Sequence, residues 1–195
     1  MSLPEPAAAP EPLGAAFLSE IHGQPGALRA LLEHEKLFER VAAEALKRGA
    51  TTVRMVGHGS SDNASSYGVY AFGLLPRWTA LRDSIALTTY YGAELDLAGS
   101  TVVALSQSGR TPDVVDYVAR ARRAGAYTVA LTNETDSELA AEAEDVLPLA
   151  AGTEQAVAAT KTYLNQVAAA DGAGGAVASL AAHCNSIAAG ATAAP

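Results

Sequence analysis

Ser106-Gln107-Ser108-Gly109-Arg110-Thr111 sets three hydroxyls and a glycine directly ahead of Pro112. Hydroxyls and free backbone N–H groups are the neutral donors that suit the oxygens of a phosphate monoester. Pro112 suits the first turn of a helix, where a missing N–H costs nothing, and Thr111 before it is a good N-cap. The spacing therefore predicts a helix from about Thr111, whose positive dipole end faces the same anion. Gly109 lets the backbone come close. Capped strand-to-helix turns use the same residue types, so the segment alone does not decide between the two roles. A second segment of this design, Gly57-His58-Gly59-Ser60-Ser61-Asp62-Asn63-Ala64, strengthens the ligand reading. Two such loops can converge at one crevice, because ligands of open parallel sheets sit beyond the carboxyl ends of the strands where strand order reverses. Neither loop has the G-x-G-x-x-G spacing of a dinucleotide site, and no Gly-Lys-Ser/Thr of a nucleotide P-loop is present.

A third segment, Ala151-Gly152-Thr153-Glu154-Gln155-Ala156-Val157-Ala158-Ala159-Thr160-Lys161-Thr162, follows an expected strand over 145–149. Thr153 would cap a helix on which Glu154, Val157 and Lys161 share one face. Two roles fit Glu154: a proton-transfer group at the crevice, oriented by Lys161 or a backbone group, or a first-turn acid that complements the helix dipole. His58, Arg110 and Lys161 are the candidate cations for a small anion, although His58 could equally donate one bond that stiffens its turn.

These loops need strands and helices to hold them. The branched apolar run over 102–105 has the length of a strand buried on both faces, and Thr52 to Val56 reads as another. Beyond them the pattern predicts a helix over 112–124, a strand over 127–132, a short helix over 136–143 and the strand over 145–149. The alternation argues for an α/β fold, a three-layer α/β/α sandwich on a five-stranded parallel sheet. Gln24-Pro25 precedes a helix expected over 26–48, with Leu28, Leu31, Leu32, Phe38, Val41 and Leu46 as its apolar stripe and Gly49 as its stop. Tyr90 and Tyr91 read as packing residues and Asn133 as turn chemistry at the crevice edge.

Four of the nine prolines fall in the first twelve residues, which predicts an extended or disordered leader over 1–14. From Val167 onward 13 of 29 residues are alanine and Asp171 is the only charged one, so 167–195 reads as an atypical tail, truncated or divergent. At 195 residues the chain fits one domain, and no loop is repeated.

In order and spacing, the three segments resemble the SIS (sugar isomerase) family. Gly57-His58-Gly59-Ser60-Ser61 is similar to its first sugar-phosphate loop, Ser106 to Thr111 to its S-Q-S-G-x-T loop, and Ala151-Gly152-Thr153-Glu154 with Thr160-Lys161 to its A-G-T-E…T-K element. The nearest likeness is to the first of two SIS halves in the isomerase domain of glutamine–fructose-6-phosphate aminotransferases and their glutaminase-less phosphosugar isomerase and deaminase relatives. Ile21-His22-Gly23-Gln24-Pro25 also resembles their E-I-x-E-Q-P segment, with Gly23 in place of the usual acid. The likeness spans residues 20–166 and implies a single flavodoxin-like SIS copy. It implies that Ser61, Ser106, Gln107, Ser108 and Thr111 contact the phosphate and sugar hydroxyls, with Ser60 and Val157 nearby, and that the unit forms a homodimer. It also exposes a gap. In the two-SIS enzymes the isomerising Glu, a His from the neighbouring subunit and a Schiff-base Lys lie in the second half or after it, and the sequence holds no counterpart of those regions.

The expected function is therefore phosphosugar binding by an SIS domain of an isomerase, aminotransferase or deaminase, for a ligand of the fructose-6-phosphate or glucosamine-6-phosphate type. Alternatives are a non-catalytic regulatory module or half-enzyme, and a stand-alone isomerase that completes its site across subunits with Glu154 and a partner histidine corresponding to His22, His34 or His183. The net charge of −8 argues against nucleic-acid or anionic-membrane partners. Cys184 is alone and no Cys/His spacing suggests a metal, so no cofactor or metal is expected. The absence of a signal peptide or a long apolar run points to the cytoplasm.

Overall fold

The computed structural model describes residues 14–156 and 159–192. The expected leader, apart from Gly14, and Val157 lie outside the described residues. The elements in chain order are α1 (Ala15–Leu32), α2 (Glu35–Lys47), β1 (Thr52–Gly57), α3 (Ser60–Leu74), β2 (Thr79–Arg82), α4 (Ile85–Thr89), β3 (Ser100–Ser106), α5 (Pro112–Arg123), β4 (Tyr127–Thr132), α6 (Glu138–Glu142), β5 (Asp145–Pro148) and α7 (Thr160–Thr192).

The five strands form one sheet in the order β2-β1-β3-β4-β5, and every neighbouring pair is parallel. Every residue of β3 and β4 is buried, as the unbroken apolar runs require of central strands covered on both faces. Alternate side chains go to opposite cores. Val103 and Leu105 join the cluster that contains Phe38, Val41, Ala64 and Ala170, whereas Val102 and Ala104 join that of Val114, Val118 and Leu139. Helices α2, α3 and α7 thus cover one face of the sheet and α5 and α6 the other, which gives the expected three layers. Chain order reverses between β1 and β3, so the crevice for a ligand lies beyond the carboxyl ends of these two strands.

Several elements differ from expectation. The helix over 26–48 is two helices, broken at Glu33 and His34, and Pro25 lies inside α1 rather than before it. The break folds the chain back so that Leu31 and Phe38 both reach the core, while Leu32 at the bend stays 70% exposed. The short α4 ends at Thr89, Gly92 turns the chain with φ 66°, and Tyr90 and Tyr91 are exposed rather than packed.

The compositional boundary near residue 166 falls inside α7. Ala169, Ala170 and Val177 beyond it are buried, and α7 packs on α1, α2 and α3. Small residues permit this closeness: a Cβ on Gly174 would stand 3.3 Å from the Ala71 carbonyl oxygen, and one on Gly68 would collide with the Met55 side chain. The alanine bias is a packing device over this stretch. One buried side chain, Asn165, fastens three parts together. Its Nδ2 donates to the Ala27 carbonyl of α1 at 3.0 Å and to the Leu149 carbonyl after β5 at 2.7 Å.

Candidate functional site

The β3–α5 loop is closed by its own atoms. Gly109 N–H donates to Ser106 Oγ at 3.1 Å and Arg110 N–H to Ser108 Oγ at 3.3 Å, while the hydroxyls of Ser106 and Thr111 lie 3.3 Å apart. Thr111 holds the N-cap position with extended backbone, as expected, yet its hydroxyl makes no capping bond. The first N–H groups of α5 therefore remain available, beside three hydroxyls. Gly109 has φ 61°, and a Cβ there would stand 2.0 Å from Ser137 Oγ, so the turn requires glycine. Its carbonyl accepts from Leu139 N–H at 2.9 Å, which anchors the loop on α6.

The β1–α3 loop reaches the crevice from the other side of the switch point. Gly57 brings the end of β1 against β3: a Cβ on it would meet the Leu105 carbonyl oxygen at 3.0 Å. Ser60 opens α3 in an exposed position. Ser61 is buried, and its Oγ accepts from Nε2 of the fully buried Gln166 at 2.8 Å. His58 is half exposed and crosses the crevice, with Nε2 2.5 Å from Oδ2 of Asp113 in the first turn of α5. The Tyr90 hydroxyl donates to the same oxygen at 3.5 Å.

Residues 151–156 have no regular structure and α7 begins at Thr160, so Thr153 caps nothing and Glu154 lies outside the helix that carries Lys161. Glu154 instead caps α7 from a distance. Its Oε1 accepts from Lys161 N–H at 2.8 Å, and its Oε2 accepts from Thr162 N–H at 3.1 Å and from the Thr162 hydroxyl. Lys161 Nζ reaches back to donate to the Thr153 carbonyl at 2.6 Å. The dipole-complementing role written for a first-turn acid is thus filled by a residue outside the helix.

Two further side chains shape this segment. Glu20 of α1 is buried, and its Oε1 accepts from Gln155 N–H at 2.5 Å and Ala156 N–H at 3.2 Å. The Gln155 bond holds its carboxyl below the usual range. Asn133, after β4, donates from Nδ2 to the Gly152 carbonyl and accepts at Oδ1 from Ala151 N–H, both at 2.8 Å. Gln107, Asn133, Gly152, Thr153 and Glu154 line an open cleft of about 600 Å³ between this segment and the β3–α5 loop.

The structure thus brings Ser60, Ser61, Ser106, Gln107, Ser108 and Thr111 to the carboxyl edge of the sheet, with His58 bridging two loops and Glu154 and Lys161 on the third. Asp113, Gln166 and the clip formed by Asn133 carry no local sequence signal, because each acts on a residue distant in the chain. Glu20 stands at the first position of the E-I-x-E-Q-P likeness, which is its only signal in the sequence. Among the described residues there is no group of three His, Cys, Asp or Glu side chains arranged to hold a metal, and no helix long and apolar enough to cross a membrane.

The SIS domain profile matches residues 46–173. The chain is 36% identical over 166 residues to a glutamine–fructose-6-phosphate aminotransferase (isomerizing) of Halobacterium salinarum, covering 78% of this chain and 26% of that protein. It is 35% identical over 165 residues to the enzyme of the same description in Corynebacterium glutamicum, covering 80% and 26%. A proposed phosphosugar isomerase of Silicibacter pomeroyi superposes with a TM-score of 0.81 at 35% identity, over 84% of this chain and 50% of that one. The chain therefore spans about a quarter of the length of these curated relatives and half of the solved one. With a flavodoxin-like strand order, hydroxyl loops on both sides of the switch point and a profile match across most of its length, the chain belongs to the SIS domain family.

Proposed function

We propose that this SIS unit binds a phosphorylated sugar, with the phosphate seated at the α5 N-terminus. The observation that carries the reading is the uncapped start of α5, where Ser106, Ser108 and Thr111 stand beside unpaired N–H groups. Gln107, Ser60, Ser61 and Val157 are then the residues around the sugar, and the names of the curated and solved relatives support a six-carbon phosphosugar such as fructose-6-phosphate or glucosamine-6-phosphate.

Isomerisation of such a sugar moves a proton between C1 and C2, and a carboxylate commonly carries it. Glu154 is our nominee, at the cleft beside Gln107. Both its oxygens hold the start of α7, so proton transfer would require it to release those donors. The same bonds favour a second reading, a binding half whose turnover depends on another SIS unit, supplied by a homodimer partner or by a longer polypeptide. Aminotransfer or deamination would be settings for either reading, in the cytoplasm.

Calorimetric titration with fructose-6-phosphate and glucosamine-6-phosphate tests the binding. Ser106→Ala combined with Ser108→Ala should weaken it at least about tenfold, since hydrogen bonds to a charged ligand contribute roughly 1.5–3 kcal/mol each. Unchanged affinity would refute the phosphate loop. Deuterium uptake from D2O at C1 or C2 that disappears in Glu154→Gln, with binding retained, would establish proton transfer by Glu154. Exchange that persists in that variant would sink the role.

A further inference from the structure

Asp113 lies in the first turn of α5, two residues beyond Thr111, so an anion seated on that helix start has a carboxylate for a neighbour. A first-turn acid and a bound phosphate compete for the same dipole, and their like charges oppose each other at short range. His58 stands where it can resolve the conflict. Its Nε2 lies 2.5 Å from Asp113 Oδ2, which makes Nε2–H the donor to the carboxylate and leaves Nδ1 as the ring position free to gain a proton. The Asp113 side chain is 18% exposed and that of His58 51%, so water can deliver a proton to the ring while the carboxylate stays mostly enclosed. With neutral imidazole the pair carries one negative charge. With imidazolium it carries none, and Nδ1–H becomes an additional donor at the crevice.

The charged groups on the surrounding elements have partners of their own. Asp62 of α3 pairs with Arg82 of β2 at 3.1 Å, Asp83 after β2 with Arg54 at 2.7 Å, and Asp116 of α5 with Arg120 at 2.7 Å. Glu154 and Lys161 are bonded to the segment that starts α7. The Tyr90 hydroxyl adds a neutral donor to Asp113 at 3.5 Å, and Arg110 is the cation on the phosphate loop itself.

We propose that the sugar phosphate binds together with a proton, taken from solvent at Nδ1 of His58, and that the His58–Asp113 pair is the charge-compensating part of the site. This inference rests on the sugar-phosphate reading. The proton comes from the buffer acid and no other bond is made or broken. Dianionic phosphate monoesters are the ligand class favoured, because a neutral sugar gives the ring no reason to charge. The pair also holds the two loops in register across the switch point, so it positions the ligand as well as neutralising it.

Fructose-6-phosphate titrated at pH 7.5 in phosphate-free buffers of different ionisation enthalpy reads the proton directly. A phosphate monoester has its second ionisation near pH 6 and is already dianionic there, so the ligand itself supplies no uptake. The wild-type chain should take up a measurable fraction of a proton on binding. His58→Gln should abolish the uptake and weaken binding about fivefold at pH 6.5, an effect of the size that one nearby charge gives, with little difference near pH 9. Asp113→Asn should also lose most of the uptake, yet bind more tightly than wild type above pH 8, because the opposing carboxylate is gone. A purely structural clip predicts weaker binding by Asp113→Asn at every pH, and that result would overturn the proposal. So would uptake that persists in His58→Gln. Wild-type binding without proton uptake removes this inference alone, whereas no binding of any phosphosugar removes the site reading and this inference with it.

Discussion

The β3–α5 loop joins Ser106, Ser108, Gly109, Arg110 and Thr111 by side-chain bonds that all lie within six residues of one another, and its backbone is tied at Gln107 and Gly109 to Asn133 and Leu139. The β1–α3 loop, built from the same glycines and serines, is held from afar. Gln166 reaches Ser61 across 105 residues and Asp113 reaches His58 across 55. The side-chain bonds of one loop are local and those of the other reach distant partners, although both loops present hydroxyls to the same crevice. A local loop is rigid before a ligand arrives. A remotely held loop can respond to what happens at its distant fasteners.

The sharpest way to probe the contrast is Gly109→Ala. The added Cβ meets both Oγ and Cβ of Ser137, so a rotation of the serine does not relieve it, and φ 61° strains any L-residue. Unfolding stability should fall by about 3 kcal/mol or more, measured by urea denaturation. A loss below about 1 kcal/mol would mean that the loop is not the rigid member of the pair. Gln166→Leu attacks the other loop without touching its sequence. It leaves Ser61 Oγ without its donor and should cost about 1–2 kcal/mol, with a severalfold loss of phosphosugar affinity. If affinity stays at the wild-type value, the β1–α3 loop does not depend on its remote fastener. The smallest expected effect is on the third segment. Glu20 is held below its ordinary value of 4.5, so the stability it contributes is present above pH 4.5 and is lost as pH falls through its lowered folded value. Hydrogen exchange at Gln155 and Ala156 should accelerate in that acid range, relative to the β3 amides, and Glu20→Gln should remove the dependence.

The same contrast explains what could be read before the structure. Strand β4 begins and ends where its apolar run does, and α5 starts at Pro112 because proline and threonine announce a helix start locally. The hydroxyls of the β3–α5 loop were legible for that reason. The helix over 26–48 divides because Leu31 and Phe38 both enter one core from two directions, whereas its periodicity runs unbroken through Glu33 and His34, so nothing local marks the bend. The start of α7 was misplaced because a threonine followed by a glutamate imitates a cap, whereas Glu154 caps from outside the helix and Glu20 occupies the next two N–H groups. Tyr90 and Tyr91 were expected to pack because tyrosines usually do. Tyr90 instead hangs over the crevice, its hydroxyl turned to Asp113.

The Asn165 clasp has a consequence for the order in which the protein is made. Helix α1 leaves the ribosome before α7, in which it finds its lasting partners, and before Leu149, whose carbonyl shares the Asn165 amide with it. At 5–20 residues per second, α1 waits on the order of ten seconds for them. During that interval Ala27 and Leu31 have no α7 to cover them, and the sheet can assemble without its outer helix. Newly made chains should therefore be most vulnerable to chaperone capture and misassembly through α1, just before residue 165 emerges.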